Sequence, residues 1–261
     1  MIRLVAVDID GTLLDSAGRI PQANLDALAR AADQGVRIVI ATGRSFHFAM
    51  QALGPLPGAL TLVVHNGAIA RTRGGETLVR RLLPGGAARV VLEATRPWRP
   101  DAAAVFDRPL AGQLLYDRMD WSHPNRSGFR AKNLAIIQAV DELEDAVVED
   151  PVQIAFNGGV DRMRALVAHL RAHPLAGSLE VSRTEYPHLD FSMVDVCAAG
   201  TNKGTGVAAV AALAWGLGRG AARAELAKTT GVPRWVEGWF LWIRWVVPAA
   251  VIVALLSGWL G

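Results

Sequence analysis

Two carboxylates, Asp8 and Asp10, stand at the C-terminal end of the short apolar run Arg3 to Ile9, where the chain turns at Gly11. At that spacing one carboxylate can attack an electrophile while the other transfers a proton. A solvated Asp-Gly turn would use the same residues. A second apolar run, Val36 to Ala41, ends at Thr42-Gly43-Arg44. There a hydroxyl and free backbone N–H groups ahead of a helix can cradle an anion, with Gly43 permitting close backbone approach. Thr42 as a plain helix N-cap is the alternative. A third stretch, Asn202-Lys203-Gly204, opens a later helix. The macrodipole opposes a Lys at that end, so Lys203 either pairs with carboxylate or phosphate or stays solvated.

The elements that must position these residues follow from periodicity. Strands are predicted over Arg3–Ile9, Val36–Ala41 and Leu60–His65, with helices over 21–34 and Ser45–Leu53 between them. That alternation is the pattern of a parallel sheet with crossover helices, whose binding edge lies at the C-terminal ends of its strands. Ala68–Arg71 and Thr77–Arg81 flank Arg73-Gly74-Gly75 as a hairpin. Beyond it the pattern changes to helices over Ala87–Thr95, Ala139–Glu149 and Asp161–Ala172, mixed with strands around Ala103–Phe106, Gly112–Tyr116, Val152–Phe156 and Leu179–Ser182. Leu189–Val196 is expected to return to the first sheet, and 202–217 to form an Ala/Val-rich helix.

Composition narrows the function classes. In 261 residues, 51% are apolar and 20% charged, which excludes global disorder. One Cys, Cys197, excludes a disulfide scaffold or a multi-thiolate zinc site. Residues 1–203 are electrically balanced, and the net charge of +3 comes from the remainder. No basic stripe interleaved with aromatics runs through the body, so no nucleic-acid partner is expected. The N-terminal apolar run is too short for a signal peptide, so the first domain is expected in the cytoplasm.

Together Asp8-Ile9-Asp10-Gly11-Thr12-Leu13-Leu14, Ala41-Thr42-Gly43-Arg44, Asn66-Gly67-Ala68 and Asn202-Lys203-Gly204 resemble the haloacid dehalogenase-like phosphohydrolases, and within them the Cof-type branch. The resemblance covers roughly residues 1–217. It implies an α/β fold: a Rossmann-like parallel-sheet core over 1–83 and 187–217, with an inserted α+β cap over 84–186 that shields the site and selects the substrate. By the same resemblance, Asp8 is the nucleophile and Asp10 the general acid and base. Thr42 would bind the transferring phosphoryl group, and Lys203 would balance the charge of Asp8 and phosphate. Gly43, Arg44, Asn66 and Asn202 become substrate-binding candidates. Mg²⁺ would be held by the Asp8 carboxylate and the Asp10 main-chain carbonyl. The expected substrate is a small phosphorylated metabolite, with sugar phosphates as the favoured class. Arg126, Arg130, Lys132, Asn157 and His188 are further candidates for substrate contact.

The pattern fails at one place. These enzymes carry a Gly-Asp-x-x-x-Asp motif about two dozen residues after the Lys, yet here that window reads Ala224-Glu225-Leu226-Ala227-Lys228-Thr229-Thr230-Gly231, and no Asp follows Asp195. With fewer carboxylates Mg²⁺ should bind more weakly. After a linker at 218–238, residues 239–260 carry a single charge, Arg244, and at about 1.5 Å per residue are long enough to cross a hydrocarbon core of about 30 Å. Trp239 and Trp259 near the ends suit the interfacial belts. The expectation is a C-terminal membrane helix, weakly similar to the last helix of sodium-coupled symporters. The alternative to an active phosphatase is then an impaired, phosphate-binding remnant tethered to a membrane after fusion or frame disruption.

Overall fold

The computed structural model describes residues 2–56 and 58–215. β1 (Leu4–Val7), α1 (Gln22–Asp33), β2 (Arg37–Ala41), α2 (Phe46–Leu53) and β3 (Leu60–Val64) reproduce the predicted alternation. The three strands pair in parallel, with Val5 opposite Ile38 and Ile40 opposite Leu62. Both faces of this sheet are covered, which is why β3 is buried at every position and reads as an unbroken apolar run. On one face Leu25, Leu28 and Ala31 of α1 join Ile9, Leu13, Ile38, Ile40 and Leu62. Each fully buried side chain of this size contributes roughly 1.5–3 kcal/mol. β4 (Ile69–Thr72) and β5 (Thr77–Arg80) extend the sheet antiparallel, giving the order β1-β2-β3-β4-β5. Among the described residues β1 is therefore an edge strand.

The chain then builds a second sheet. α3 (Gly85–Ala94), β6 (Ala102–Val105), β7 (Leu114–Tyr116), α4 (Pro124–Asn133), β8 (Ile137–Ala139), the single turn α5 (Leu143–Ala146), β9 (Gln153–Gly158), α6 (Val160–Ala172), β10 (Leu179–Tyr186) and β11 (Phe191–Ala198) follow in order. The strands stand β10-β11-β9-β6-β7-β8, antiparallel except for β7 with β8. Val91 and Leu92 of α3 and Met163, Leu166 and Leu170 of α6 pack on this sheet with Ala104, Ile154, Phe156, Val194 and Val196. Finally α7 (Lys203–Trp215) returns to cover the other face of the first sheet, where Val207 and Val210 meet Val39, Ala41 and Val63. Residues Met1–Ala211 form one compact unit, and the second unit, from Ala212 on, lies almost wholly outside the described residues.

Two sequence expectations differ from the structure, and one helix was not expected. Leu189–Val196 does not join the first sheet: β11 pairs antiparallel along its length with β10, Tyr186 opposite Phe191 and Leu179 opposite Ala198, and with β9 on its other side. Its alternation carried the signal, since Ser192, Val194 and Val196 are buried while Met193 is exposed, which is the pattern of a half-buried antiparallel strand. The helix expected over Ala139–Glu149 shrinks to α5 behind β8. The unpredicted α4 carries Pro124, Ser127 and Gly128, poor helix formers, and is held instead by the His123 ring nitrogen accepting from the Asn125 N–H at 3.2 Å and by Arg126. Among the described residues no helix is long and apolar enough to cross a membrane. The linker predicted at 218–238 and the membrane span at 239–260 lie outside the described residues.

Candidate active site

β1 delivers Asp8 to the sheet edge in an extended conformation, where Asp8 Oδ1 accepts from the Ile9 N–H at 2.8 Å. A wide turn over Ile9–Leu13, closed by Leu13 N–H to Asp8 O and Leu14 N–H to Ile9 O, then presents Asp10 to solvent. β2 delivers Thr42, whose buried hydroxyl accepts from the Arg44 N–H at 3.2 Å. The Arg44 guanidinium grips Asp10 in a bidentate pair, Nε to Oδ2 at 3.0 Å and Nη2 to Oδ1 at 2.6 Å. Lys203, the first residue of α7, places Nζ 2.7 Å from Asp8 Oδ2. The partner required by a Lys at a helix N-terminus is thus the first carboxylate.

Asn202 is the cap that makes this possible. Its side-chain oxygen accepts from Thr205 N–H at 2.9 Å, while Thr205 Oγ accepts from Asn202 N–H at 3.1 Å, a reciprocal arrangement that satisfies two orphan donors of α7. The α7 start is then locked to the turn after β3. Gly67 has φ +104°, and a Cβ there would lie 2.0 Å from Asn202 O; a Cβ on Gly206 would lie 2.4 Å from Val63 Cγ1 and 3.0 Å from Gly67 Cα. Backbone meets backbone at this joint, so Lys203 has one place to be.

Asn66 occupies the middle of that turn at φ 54°, preceded by His65 at φ 49°. Its N–H donates to Thr42 O at 3.1 Å, and a side chain at Gly43 would meet Asn66 Oδ1 at 2.8 Å. Asn66 therefore backs the Thr42–Arg44 strand end. Its Nδ2 donates to Asp195 Oδ2 on β11 at 3.0 Å, and Gln153 Nε2 on β9 donates to the other oxygen at 2.6 Å. Sequence reasoning passed over Asp195; a lone carboxylate between Val194 and Val196 on an otherwise apolar strand was the available signal.

Two groups of this joint have displaced pKa values of opposite sign. Burial pushes His65 from 6.5 to about 4, a drop that the nearby Asp107 opposes and Arg71 reinforces. Burial raises Asp195 from 3.8 to about 6 against its two amide hydrogen bonds, although part of the residue still reaches the surface. For His65 the folded state binds fewer protons than the unfolded one between about pH 4 and 6.5, so stability is lost on acidification. For Asp195 the folded state binds more protons between about 4 and 6, so stability is lost as pH rises through that window. Each effect reaches up to about 3 kcal/mol and the two oppose one another. His65→Asn removes one side of the balance: relative to wild type it should gain roughly 3 kcal/mol between pH 7 and pH 4. Urea denaturation at the two pH values checks this, and a constant difference would refute it.

The other candidates fare differently. Arg126 is 5% exposed at the side chain and bound to Asp101 Oδ1 at 2.5 Å, to Asn157 Oδ1 at 2.6 Å and to Asp120 O at 2.8 Å. Arg126 and Asn157 thus tie α4 to β9. The Arg130 guanidinium lies 5.3 Å from the centre of the Trp121 ring, and Lys132 and His188 are exposed. Asp117, Glu142 and Glu144 form an acidic group away from these motifs, with Arg99 between Asp117 and Glu144 and Arg118 on Glu142 supplying countercharge. At the sheet edge the donors are hard oxygens of the kind Mg²⁺ takes, so Asp8 and the Asp10 main chain fit that ion. Among the described residues no third acidic side chain closes on them.

The haloacid dehalogenase-like hydrolase family model matches residues 5–216. The chain belongs to the haloacid dehalogenase-like hydrolases. An HMP-PP phosphatase of Enterobacter sp. is 29% identical over 214 residues, covering 80% of this chain and 71% of that relative. A phosphatase of the superfamily from Bacteroides thetaiotaomicron is 25% identical with TM-score 0.61, covering 80% of this chain and 71% of that one. A Streptococcus mutans structure, 14% identical, shares the fold at TM-score 0.66 over 82% of this chain and 77% of its own.

Proposed function

We propose that this haloacid dehalogenase-like hydrolase is a Mg²⁺-dependent phosphomonoesterase that acts on a small phosphorylated metabolite through an aspartyl phosphate on Asp8. The observation that carries the reading is the juxtaposition at one sheet edge of Lys203 on Asp8 and Arg44 on Asp10. An Asp8 oxygen attacks phosphorus, the ester P–O bond breaks, and Asp10 gives its proton to the leaving alcohol. In the second half Asp10 takes a proton from water, whose oxygen attacks the aspartyl phosphate, frees orthophosphate and restores Asp8. Thr42 Oγ accepts from Arg44 N–H and so has its own hydrogen to donate to a phosphoryl oxygen. Lys203 offsets the repulsion between two anions. Arg44 pairs with the Asp10 carboxyl group through both oxygens, so the acid step requires the guanidinium to shift, and the substrate phosphate is the anion that draws it. When bound by the Asp8 carboxylate and the Asp10 carbonyl, Mg²⁺ supplies Lewis-acid stabilisation of the phosphoryl oxygens.

The second sheet, with residues 84–186, is the proposed cap over a core of 1–83 and 187–217, although β11 inside the latter range pairs with the cap strands. The HMP-PP phosphatase likeness supports a small phosphorylated substrate, and the motif resemblance favours sugar phosphates within that class. Hydrolysis of p-nitrophenyl phosphate by the full chain is expected to stop with EDTA and return with Mg²⁺. Half-saturation should need more Mg²⁺ than in a chain with the Gly-Asp-x-x-x-Asp segment restored. Turnover indifferent to EDTA would refute the metal-dependent route. A phosphate-binding remnant is the second reading, favoured by the replacement of that acidic segment by 224–231. Orthophosphate binding without turnover would select it.

A further inference from the structure

The donors around Asp195 leave it little freedom. Asn66 Nδ2 from the turn after β3 and Gln153 Nε2 from β9 each present an N–H to a different oxygen of the same carboxylate. A carboxylate accepts both; a carboxylic acid, carrying one O–H, faces an N–H with it and loses one of the two bonds unless an amide turns over. Gln153 Oε1 faces the Cys197 thiol at 3.9 Å, a weak donor that favours the present orientation of the amide. The Asn66 side chain stands directly behind Gly43, where an added Cβ would meet its Oδ1 at 2.8 Å. The charge on Asp195 therefore decides how Asn66 stands behind the strand end Thr42–Arg44.

We propose that Asp195 is a positioning residue: from the second sheet, its ionised carboxylate fixes the Asn66 amide and through it the Thr42–Arg44 oxyanion cradle. This rests on reading that strand end as the phosphoryl site. Burial brings the Asp195 pKa to about 6, so the cradle is set above that pH and loosened below it. The other ionisable groups around the carboxylate act little on it. His65 beside Asn66 is held neutral by burial down to about pH 4. The Cys197 thiol, two residues along β11, is pushed far up by burial and by Asp195 itself, and Glu180 faces it on β10. His47 on α2, bonded to Gln51, is the imidazole nearest the cradle in sequence.

The test follows the Asn66 side-chain amide and the Gly43 and Arg44 N–H signals by ¹H–¹⁵N NMR between pH 5 and 8 on the full chain. The kcat/KM for p-nitrophenyl phosphate with Mg²⁺ is measured over the same range. In wild type the three signals are expected to move together with one midpoint near pH 6, and kcat/KM to fall about tenfold on the acid side along the same curve. Asp195→Asn removes the midpoint and the acid limb and lowers kcat/KM at pH 7.5 by about tenfold. Gln153→Leu keeps Asp195 but strips one N–H from it, and shifts the midpoint upward, which serves if Asp195→Asn does not fold. His47→Gln leaves the midpoint in place. A midpoint that survives Asp195→Asn, an unmoved midpoint in Gln153→Leu, or an Asn66 amide that does not titrate in wild type overturns the proposal. Titrating signals without turnover at any pH would instead remove the phosphatase reading and leave the positioning intact.

Discussion

Asp8→Asn abolishes hydrolysis of p-nitrophenyl phosphate by the full chain, with a fall of roughly four orders of magnitude or more, as loss of an activated nucleophile gives in other hydrolases. An amide oxygen neither attacks phosphorus at a useful rate nor carries the charge that Lys203 Nζ meets at 2.7 Å. The fold should survive the change. Asp8 and Lys203 side chains are 37% and 39% exposed, and an ion pair at that exposure contributes about 1 kcal/mol at most. Circular dichroism melts of wild type and variant should therefore nearly coincide while turnover separates them. Wild-type turnover in Asp8→Asn would show that the nucleophile lies elsewhere.

Gly67→Ala is expected to cost about 4 kcal/mol or more of stability, at the upper end of what single substitutions do. The added carbon meets Asn202 O at 2.0 Å, in a backbone already at φ +104°, so the clash and the conformation both resist it. The turn after β3 and the first turn of α7 would have to part, which withdraws Lys203 from Asp8, and activity falls with stability. Gly86→Ala is the control: nothing lies within 4 Å of its Cβ position, it stands in α3, and Ala is the better helix former. Urea denaturation of both variants decides the matter, and a Gly67→Ala midpoint equal to wild type would refute the steric argument.

What could be read beforehand was local. Asp8, Thr42 and Lys203 each stand where an apolar run stops or a helix starts, and their positions at one edge follow from parallel pairing of β1, β2 and β3. A cation at a helix start signalled some anionic partner for Lys203, and it was the motif resemblance that named Asp8. The roles of Asn66 and Asn202 in the fold were not, since a polar side chain looks the same in sequence whether it meets a ligand or its own backbone. Here Asn202 caps α7 and Asn66 leans on Asp195, a partner 129 residues away. Long-range pairing also decided β11, whose apolar positions suit either sheet until the alternation is weighed. At α4 tertiary bonds from Arg126 outvote low helix propensity, and no windowed pattern records such bonds.

The facing glycines, Gly67 and Gly206, also bear on how this chain can change over generations. Every single-base missense change of a glycine codon installs a side-chain carbon, so at Gly67 each one brings an atom against Asn202 O, and at Gly206 against Val63 and Gly67. No second mutation can trim the obstacle on the Gly67 side, because what stands in the way there is main chain. Lineages that keep Lys203 beside Asp8 are expected to keep both glycines with it, and a gene freed from the demand for that pair would record its release first at these two codons.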